Sequence, residues 1–158
     1  MNRTDPDILR ATILVVDDMP ENLQLLRELL TAQGYVVRAA PNGERALTFA
    51  QTTPPDLILL DIAMPDMDGY AVCAQLKADE RTRDIPLIFL SALDALQDKV
   101  KAFTLGGVDY IAKPFQAKEV LARVNTHLTL RNLQKNLEQK NVQLQQEIDR
   151  RTQAEEEL

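Results

Sequence analysis

The chain has 158 residues, a net charge of −6 and a hydrophobic fraction of 45%, which suits one globular domain with an appended segment. The acidic balance argues against broad nucleic-acid binding and against adsorption to anionic lipid, since both need a basic surface. No apolar run approaches the roughly 18 residues that span a bilayer, and the acidic N-terminus lacks the apolar core of a secretory signal.

Apolar runs and helical patterns alternate along the chain. In chain order the sequence predicts strand 12–17, helix 21–33, strand 35–40, helix 44–52, strand 56–61, helix 70–79, strand 85–92, helix 96–106, strand 108–112 and a last helix from about Gln116. Glycine and proline separate these segments: Gly34 ends the first helix, Asn42-Gly43 is predicted as a turn, and Pro54-Pro55 ends the second helix. The loop 62–69 has the sequence IAMPDMDG.

This alternation predicts an α/β fold with right-handed crossovers. The strands are nearly continuous aliphatic runs, which is typical of strands covered on both faces. We expect a doubly wound, flavodoxin-like, five-stranded parallel sheet in the order 2-1-3-4-5. The predicted boundaries are an N-terminal extension over 1–11, the α/β domain over 12–127 and a helical extension over 128–158.

The C-terminal extension differs in composition from the rest of the chain. Residues 128–158 contain neither glycine nor proline and are rich in good helix formers. Leucines recur every seventh residue, with an arginine in one place, and the other seam positions are mostly polar; the leucines are Leu130, Leu137, Leu144 and Leu158. A single exposed helix of this kind is marginal in water, so the pattern favours a dimeric coiled coil. The alternative is that the leucines pack back on the domain.

Polar side chains follow several of the predicted strands. Asp17 and Asp18 end the first strand, Asp61 ends the third, Ser91 ends the fourth and Lys113 follows the fifth. The carboxyl ends of parallel strands meet at one edge of the sheet, where ligands of such folds bind. We therefore expect these five side chains to lie close together.

Three converging carboxylates repel one another unless a cation neutralises them. Carboxylate oxygens suit Mg²⁺, which completes its coordination shell with water and substrate phosphate. With Lys113 and the Ser91 hydroxyl nearby, this combination predicts phosphoryl transfer onto one of the carboxylates. The single cysteine, Cys73, cannot form an internal disulfide, which fits a reducing cytoplasm.

Four motifs in order carry a resemblance to a known family: VVDD (15–18), LLDIAMPDMDG (59–69), FLSA (89–92) and GGVDYIAKPF (106–115). Over about residues 12–127 the chain resembles the receiver domain of two-component response regulators. Each motif is weak alone, but four in order at the predicted strand ends are a specific combination.

The resemblance implies a role for each matching position. Asp61 corresponds to the phospho-acceptor, Asp18 to a direct Mg²⁺ ligand, Asp17 to a ligand acting through water, and Ala63 to the main-chain carbonyl ligand. Ser91 corresponds to the switch hydroxyl, Tyr110 to the switch aromatic residue, and Lys113 to the phosphate-binding lysine before a cis Lys113-Pro114 bond.

The same resemblance implies a signalling switch and its partners. A sensor histidine kinase donates the phosphoryl group, Ser91 and Tyr110 rearrange, and the face formed by helix 4, strand 5 and helix 5 changes, often pairing two receivers. The chain would catalyse only its own Mg²⁺-dependent phosphorylation and slow dephosphorylation. Ala63 carries no functional side chain beside the acceptor, which leaves the dephosphorylation rate open.

Other residues have simpler interpretations. We expect Asp66 and Asp68 to serve the loop and a helix cap, and Gly69 the turn into the third helix. Cys73 is expected to be a small buried residue. The only histidine, His127, is expected to be a surface or seam residue without a phosphorylation role.

Two other functions that use parts of this pattern each need a feature that the sequence lacks. A phosphatase of the haloacid dehalogenase type needs an aspartate two residues after its nucleophile, where this chain has Ala63. A flavodoxin-like cofactor carrier needs a Ser/Thr/Gly-rich loop after strand 1, where this chain has DDMPEN. The extension resembles helices that connect receivers to output domains. Either a downstream domain follows, or the coiled coil is itself the output of a dimeric adaptor.

Overall fold

The structure of the protein, a computed structural model, describes residues 10–92 and 96–157, and it describes no side chains between 93 and 99. The strands are β1 (Thr12–Val16), β2 (Val36–Ala40), β3 (Leu57–Asp61), β4 (Leu87–Ser91) and β5 (Asp109–Ala112). The helices are α1 (Pro20–Thr31), α2 (Gly43–Thr52), α3 (Gly69–Ala78), α4 (Leu96–Thr104) and α5 (Ala117–Glu156). Nearly all of the predicted extension 1–11 lies outside the described residues, as does Leu158.

All five strands belong to one parallel sheet in the order β2-β1-β3-β4-β5, which confirms the predicted topology. The order reverses between β1 and β3, which are hydrogen-bonded neighbours with Val16 opposite Leu60. Asp17 and Asp61 follow those two residues in the chain, so the topology brings both carboxylates to the same point on the sheet edge.

The core has two parts, one on each face of the sheet, because alternate residues of a strand point to opposite faces. Leu14 and Val16 belong to the cluster that includes α2 and α3 residues, whereas Ile13 and Val15 belong to the cluster that includes α1 and the start of α5. Cys73 is fully buried in the first cluster, as predicted. This double coverage explains why the strands are continuous apolar runs in the sequence.

Among the described residues, the starts of α2 and α3 have side-chain caps. The Asn42 carboxamide oxygen accepts a hydrogen bond of 2.8 Å from the Arg45 backbone N–H, so the predicted Asn42-Gly43 turn is the N-cap of α2 and Gly43 is its first residue. The Asp68 carboxylate accepts from the Ala71 N–H at 2.9 Å, which confirms Asp68 as a cap residue.

Gly69 is required by close packing rather than by its backbone conformation. A Cβ at this position would lie 2.3 Å from the Asp61 carbonyl oxygen and 2.9 Å from the Ile62 Cα. The Gly69 N–H donates to the Ile62 carbonyl oxygen at 2.9 Å. The start of α3 therefore lies directly against the end of β3, next to the predicted acceptor.

The last helix, α5, is longer than a helix of an ordinary domain, and the chain divides along it into two compact units, one ending at Leu128 and the other beginning at Thr129. In the first unit Val120, Val124 and Leu128 are buried in the core cluster on the α1 side. In the second unit all large apolar side chains among the described residues are 50–60% exposed: Leu130, Leu133, Leu137, Val142, Leu144 and Ile148. Among the described residues, no helix is apolar enough over a sufficient length to cross a membrane.

Candidate functional site

Three carboxylates meet at the carboxyl end of the sheet. One oxygen each of Asp17, Asp18 and Asp61 lies within 4.8 Å of the others. Asp17 and Asp61 are almost completely buried, whereas Asp18 is exposed. The predicted convergence of these three groups is therefore present in the structure.

Asp17 is held by three donors. Its Oδ1 accepts a hydrogen bond from the Met19 backbone N–H at 2.9 Å, and its Oδ2 accepts one from Asn22 Nδ2 at 3.0 Å. Lys113 Nζ lies 3.2 Å from the same Oδ2. Both oxygens are therefore engaged by protein groups.

Lys113 bridges two of the carboxylates. Its Nζ lies 3.0 Å from Asp61 Oδ1 as well as 3.2 Å from Asp17 Oδ2. Burial alone would lower the pKa of Lys113, but the two carboxylates outweigh this effect and raise the pKa, so the side chain is a fixed positive charge. The Lys113-Pro114 peptide bond is cis, as the resemblance implied.

Asp61 is the least satisfied group of the site. Burial raises its pKa to about 6, and the Asp17 and Asp18 charges act in the same direction while Lys113 opposes them. Its Oδ1 is buried and, within the part of the chain that the structure describes, has no hydrogen-bond partner of good geometry, although the ion pair with Lys113 is short. A buried oxygen in this condition is costly unless something else approaches it.

The donor set fits a hard divalent cation. Three carboxylates share one lysine, which leaves an excess of negative charge. An oxygen of the exposed Asp18 lies within 4.8 Å of an oxygen of Asp61, whose buried Oδ1 has no hydrogen-bond partner among the described residues. Oxygen ligands of this kind suit Mg²⁺, and the partial exposure leaves room for its water ligands.

The remaining predicted residues lie on β4, on β5 and in the loop after β3. Ser91 is the buried last residue of β4, one position beyond the residue that pairs with Asp61, and its carbonyl oxygen accepts from the Lys113 N–H at 2.6 Å. Tyr110 is buried in the core cluster next to α3. Ala63 lies exposed in the loop after β3. The individual roles of all these residues stay predictions.

Sequence reasoning missed Asn22, which donates to Asp17 from the first turn of α1. The available signal was its position four residues after Asp18, at the start of a helix that packs beside β1.

The interpretation of His127 as a plain surface or seam residue needs correction. His127 Nε2 lies 2.8 Å from Asp109 Oδ2, and only 13% of the histidine side chain is exposed. Arg123 Nη1 contacts the other oxygen of Asp109 at 2.6 Å. The two α5 side chains thus tie this helix to the strand that carries Tyr110.

The family model for the response regulator receiver domain matches residues 13–125 of the chain. The fold and this match show that the chain belongs to the response regulator receiver domain family. Members of this family are signalling regulators that bind Mg²⁺ at an acidic site.

Curated relatives share the receiver region. The chain is 44% identical over 116 residues to the DNA-binding transcriptional regulator RpaA of Synechocystis, a match that covers 73% of this chain and 48% of that protein. It is 40% identical over 146 residues to a Vibrio cholerae protein named for cyclic di-GMP phosphodiesterase activity, covering 92% of this chain and 33% of the relative. It is 43% identical over 118 residues to PleD of Caulobacter vibrioides, a match that covers 75% of this chain and 26% of PleD. The chain spans half or less of the length of these relatives.

Solved receiver domains have the same fold. The receiver domain of a signal transduction histidine kinase from Syntrophus aciditrophicus is 37% identical with a TM-score of 0.70, and the match covers 75% of this chain and 90% of that one. The receiver domain of a Pseudomonas aeruginosa sensor histidine kinase, solved with magnesium coordinated in its active-site cleft, is 31% identical with a TM-score of 0.71 and coverages of 76% and 98%.

Proposed function

We propose that the chain is a phosphorylation-dependent switch that accepts a phosphoryl group on Asp61 from a sensor histidine kinase. The observation that carries this proposal is Asp61 itself: a buried carboxylate whose Oδ1 lacks a well-aligned donor, next to two further carboxylates and one lysine. A bound Mg²⁺ would be held by Asp18, Asp61 and the Ala63 carbonyl, with Asp17 acting through water.

The transfer needs an ionised Asp61. One of its oxygens forms a bond to phosphorus, the bond from phosphorus to the imidazole nitrogen of the kinase phosphohistidine breaks, and the electron pair remains on that nitrogen. Lys113 turns from the two carboxylates toward the phosphoryl oxygens, and Ser91 donates a hydrogen bond to one of them. Mg²⁺ supplies positive charge that offsets repulsion between the carboxylates and the phosphoryl oxygens.

The proposed response to phosphorylation depends on two buried side chains, Ser91 and Tyr110. Movement of Ser91 toward the phosphoryl group vacates space that the Tyr110 ring enters, and Tyr110 is now buried in the core. The rearrangement changes the face formed by α4, β5 and α5. On this proposal the chain turns over no external substrate, and its cytoplasmic location follows from the location of its kinase partner.

The C-terminal half of α5 is proposed to form a homodimer and to connect the receiver to an output. Its exposed Leu130, Leu137 and Leu144 recur at heptad spacing. The Vibrio cholerae relative matches 146 of the 158 residues, so the similarity continues well past the receiver into this helix. This continuity favours a connector to an output domain, such as one acting on cyclic di-GMP, over a helix that is itself the output.

The direct test is labelling with acetyl phosphate. With Mg²⁺ the chain is expected to gain one phosphoryl group, labile to base as an acyl phosphate is, measured as intact mass. Asp61→Asn and chelation by EDTA are each expected to abolish the gain. Asp66→Asn, a loop aspartate outside the cluster, is the matched control and is expected to label normally. Labelling that persists in Asp61→Asn would remove the assignment.

A further inference from the structure

Asn22 is the one uncharged side chain in the described site that contacts a predicted Mg²⁺-site carboxylate. It lies half-buried in the first turn of α1, and its Nδ2 donates to Asp17 Oδ2 at 3.0 Å. We infer that Asn22 is a positioning residue for the metal site: it holds the Asp17 carboxylate in the orientation from which it binds a metal-bound water. This inference rests on the proposed function.

The contact serves Asp17 and not the helix. At the start of a helix the unsatisfied backbone groups are N–H donors, which a side-chain oxygen can cap but a side-chain NH₂ group cannot. Met19, the N-cap residue of α1, makes no side-chain cap hydrogen bond either. Asparagine is also a poorer helix former than alanine, so intrinsic helix propensity does not account for Asn22 at this position.

Asp17 depends on Asn22 because its other partner on Oδ2 is shared. Lys113 Nζ lies 3.2 Å from Asp17 Oδ2 and 3.0 Å from Asp61 Oδ1. If the lysine is drawn to phosphoryl oxygens, Asn22 is the described side chain that still donates to this oxygen. A neutral amide does so without adding a positive charge that would compete with the cation.

The test is the affinity of the whole chain for Mg²⁺, measured by isothermal titration calorimetry without any phosphoryl donor. Asn22→Ala is expected to weaken Mg²⁺ binding by about 10- to 100-fold, the range typical for loss of a group that orients a metal ligand. The helix is expected to persist, because alanine is the best helix former. Circular dichroism and the thermal midpoint, both measured in EDTA, report folding independently of the metal.

Gln24→Ala is the matched control. It removes a carboxamide from the same helix, but one that bonds Glu28 on the exposed face, at 2.7 Å. The control is expected to keep the wild-type Mg²⁺ dissociation constant. A folded Asn22→Ala chain that binds Mg²⁺ within twofold of wild type would overturn the inference and leave the proposed function standing. A wild-type chain that binds no Mg²⁺ would instead overturn the proposed function.

A second variant separates positioning from packing. Asn22→Leu keeps the branched side-chain outline, with bulkier methyl groups in place of the amide, but removes the donor, and it is expected to lose as much affinity as Asn22→Ala. Wild-type affinity in Asn22→Leu, with loss only in Asn22→Ala, would show that Asn22 merely fills space and would overturn the inference.

Discussion

At the scale of single residues, the three carboxylates of the site differ in how many donors contact them. Asp17 has three donors, whereas Asp61 has Lys113 alone among the described residues, and Asp18 faces solvent. More of the stabilising contacts therefore go to Asp17 than to Asp61, the proposed acceptor. Lys113 compensates the charge of Asp61 only in part, and a buried carboxylate with a raised pKa is a candidate functional group.

Because the charge of Asp61 is only partly compensated, removing it is expected to stabilise the folded chain. The pKa of Asp61 is raised from 3.8 to about 6, so the folded state holds the proton more tightly than the unfolded state. The cost of ionised Asp61 is therefore absent below about pH 4, grows as the pH rises toward 6 and is fully present above it. Without Mg²⁺, Asp61→Asn is expected to raise the free energy of unfolding by up to about 3 kcal/mol at pH 7.5 and to change it little at pH 4.

Urea denaturation at the two pH values, in EDTA, measures this difference. Asp18→Asn is the control: Asp18 is exposed, so its neutralisation is expected to have a smaller effect. A gain for Asp61→Asn that is equal at both pH values would contradict the raised pKa.

The sequence predicted most of the site residues but not their hydrogen bonds. Asp17, Asp18, Asp61, Ser91 and Lys113 were predictable because each ends or follows an apolar strand. Asn22 and the Asp109–His127 contact were not, since both join side chains across elements whose relative rotation no periodicity specifies.

At the scale of elements, α5 combines two different surfaces. Its first three turns bury Val120, Val124 and Leu128 at a spacing of four residues, and Arg123 and His127 reach Asp109 on β5. Burial alone would raise the pKa of Asp109, but the hydrogen bonds from His127 and Arg123 outweigh burial and lower it. A fixed charge on Asp109 thus joins the strand of Tyr110 to the helix that continues into the C-terminal extension.

The second surface of α5 is the row of exposed leucines Leu130, Leu137 and Leu144, and it predicts dimerisation. Leu137→Lys combined with Leu144→Lys is expected to convert a dimer to a monomer, because both residues are exposed and lie on the heptad seam. The helical circular dichroism signal is expected to fall as well, since a lone exposed helix is marginal in water.

Light scattering after size exclusion measures the mass of each variant. Gln139→Lys combined with Gln146→Lys is the matched control. It adds the same charge on the face of the helix that points away from the leucine seam, and it is expected to remain dimeric. A wild-type chain of monomer mass, or a dimer that survives the leucine substitutions, would rule out this surface as the dimer contact.

At the scale of the whole molecule, strand order creates the site. The reversal between β1 and β3 brings Asp17 and Asp61 together from positions far apart in the chain. A doubly wound parallel sheet was predictable because continuous apolar strands alternate with helices, and the order 2-1-3-4-5 is one of the two common orders of such sheets. The extended C-terminal helix was also predictable, because residues 128–158 contain neither glycine nor proline and are rich in helix formers; the structure has one helix, α5, that continues through the composition change near residue 128.

The central claim is that Asp17, Asp18 and Asp61 together hold a divalent cation that prepares Asp61 for phosphorylation. Its most direct test is a crystal structure of the chain soaked with Mn²⁺ and beryllium fluoride, with the metal located by anomalous scattering. We expect one peak within coordination distance of Asp18, Asp61 and the Ala63 carbonyl, and a beryllofluoride group on Asp61. A soaked crystal with no anomalous peak among the three carboxylates and an unmodified Asp61 would contradict the account.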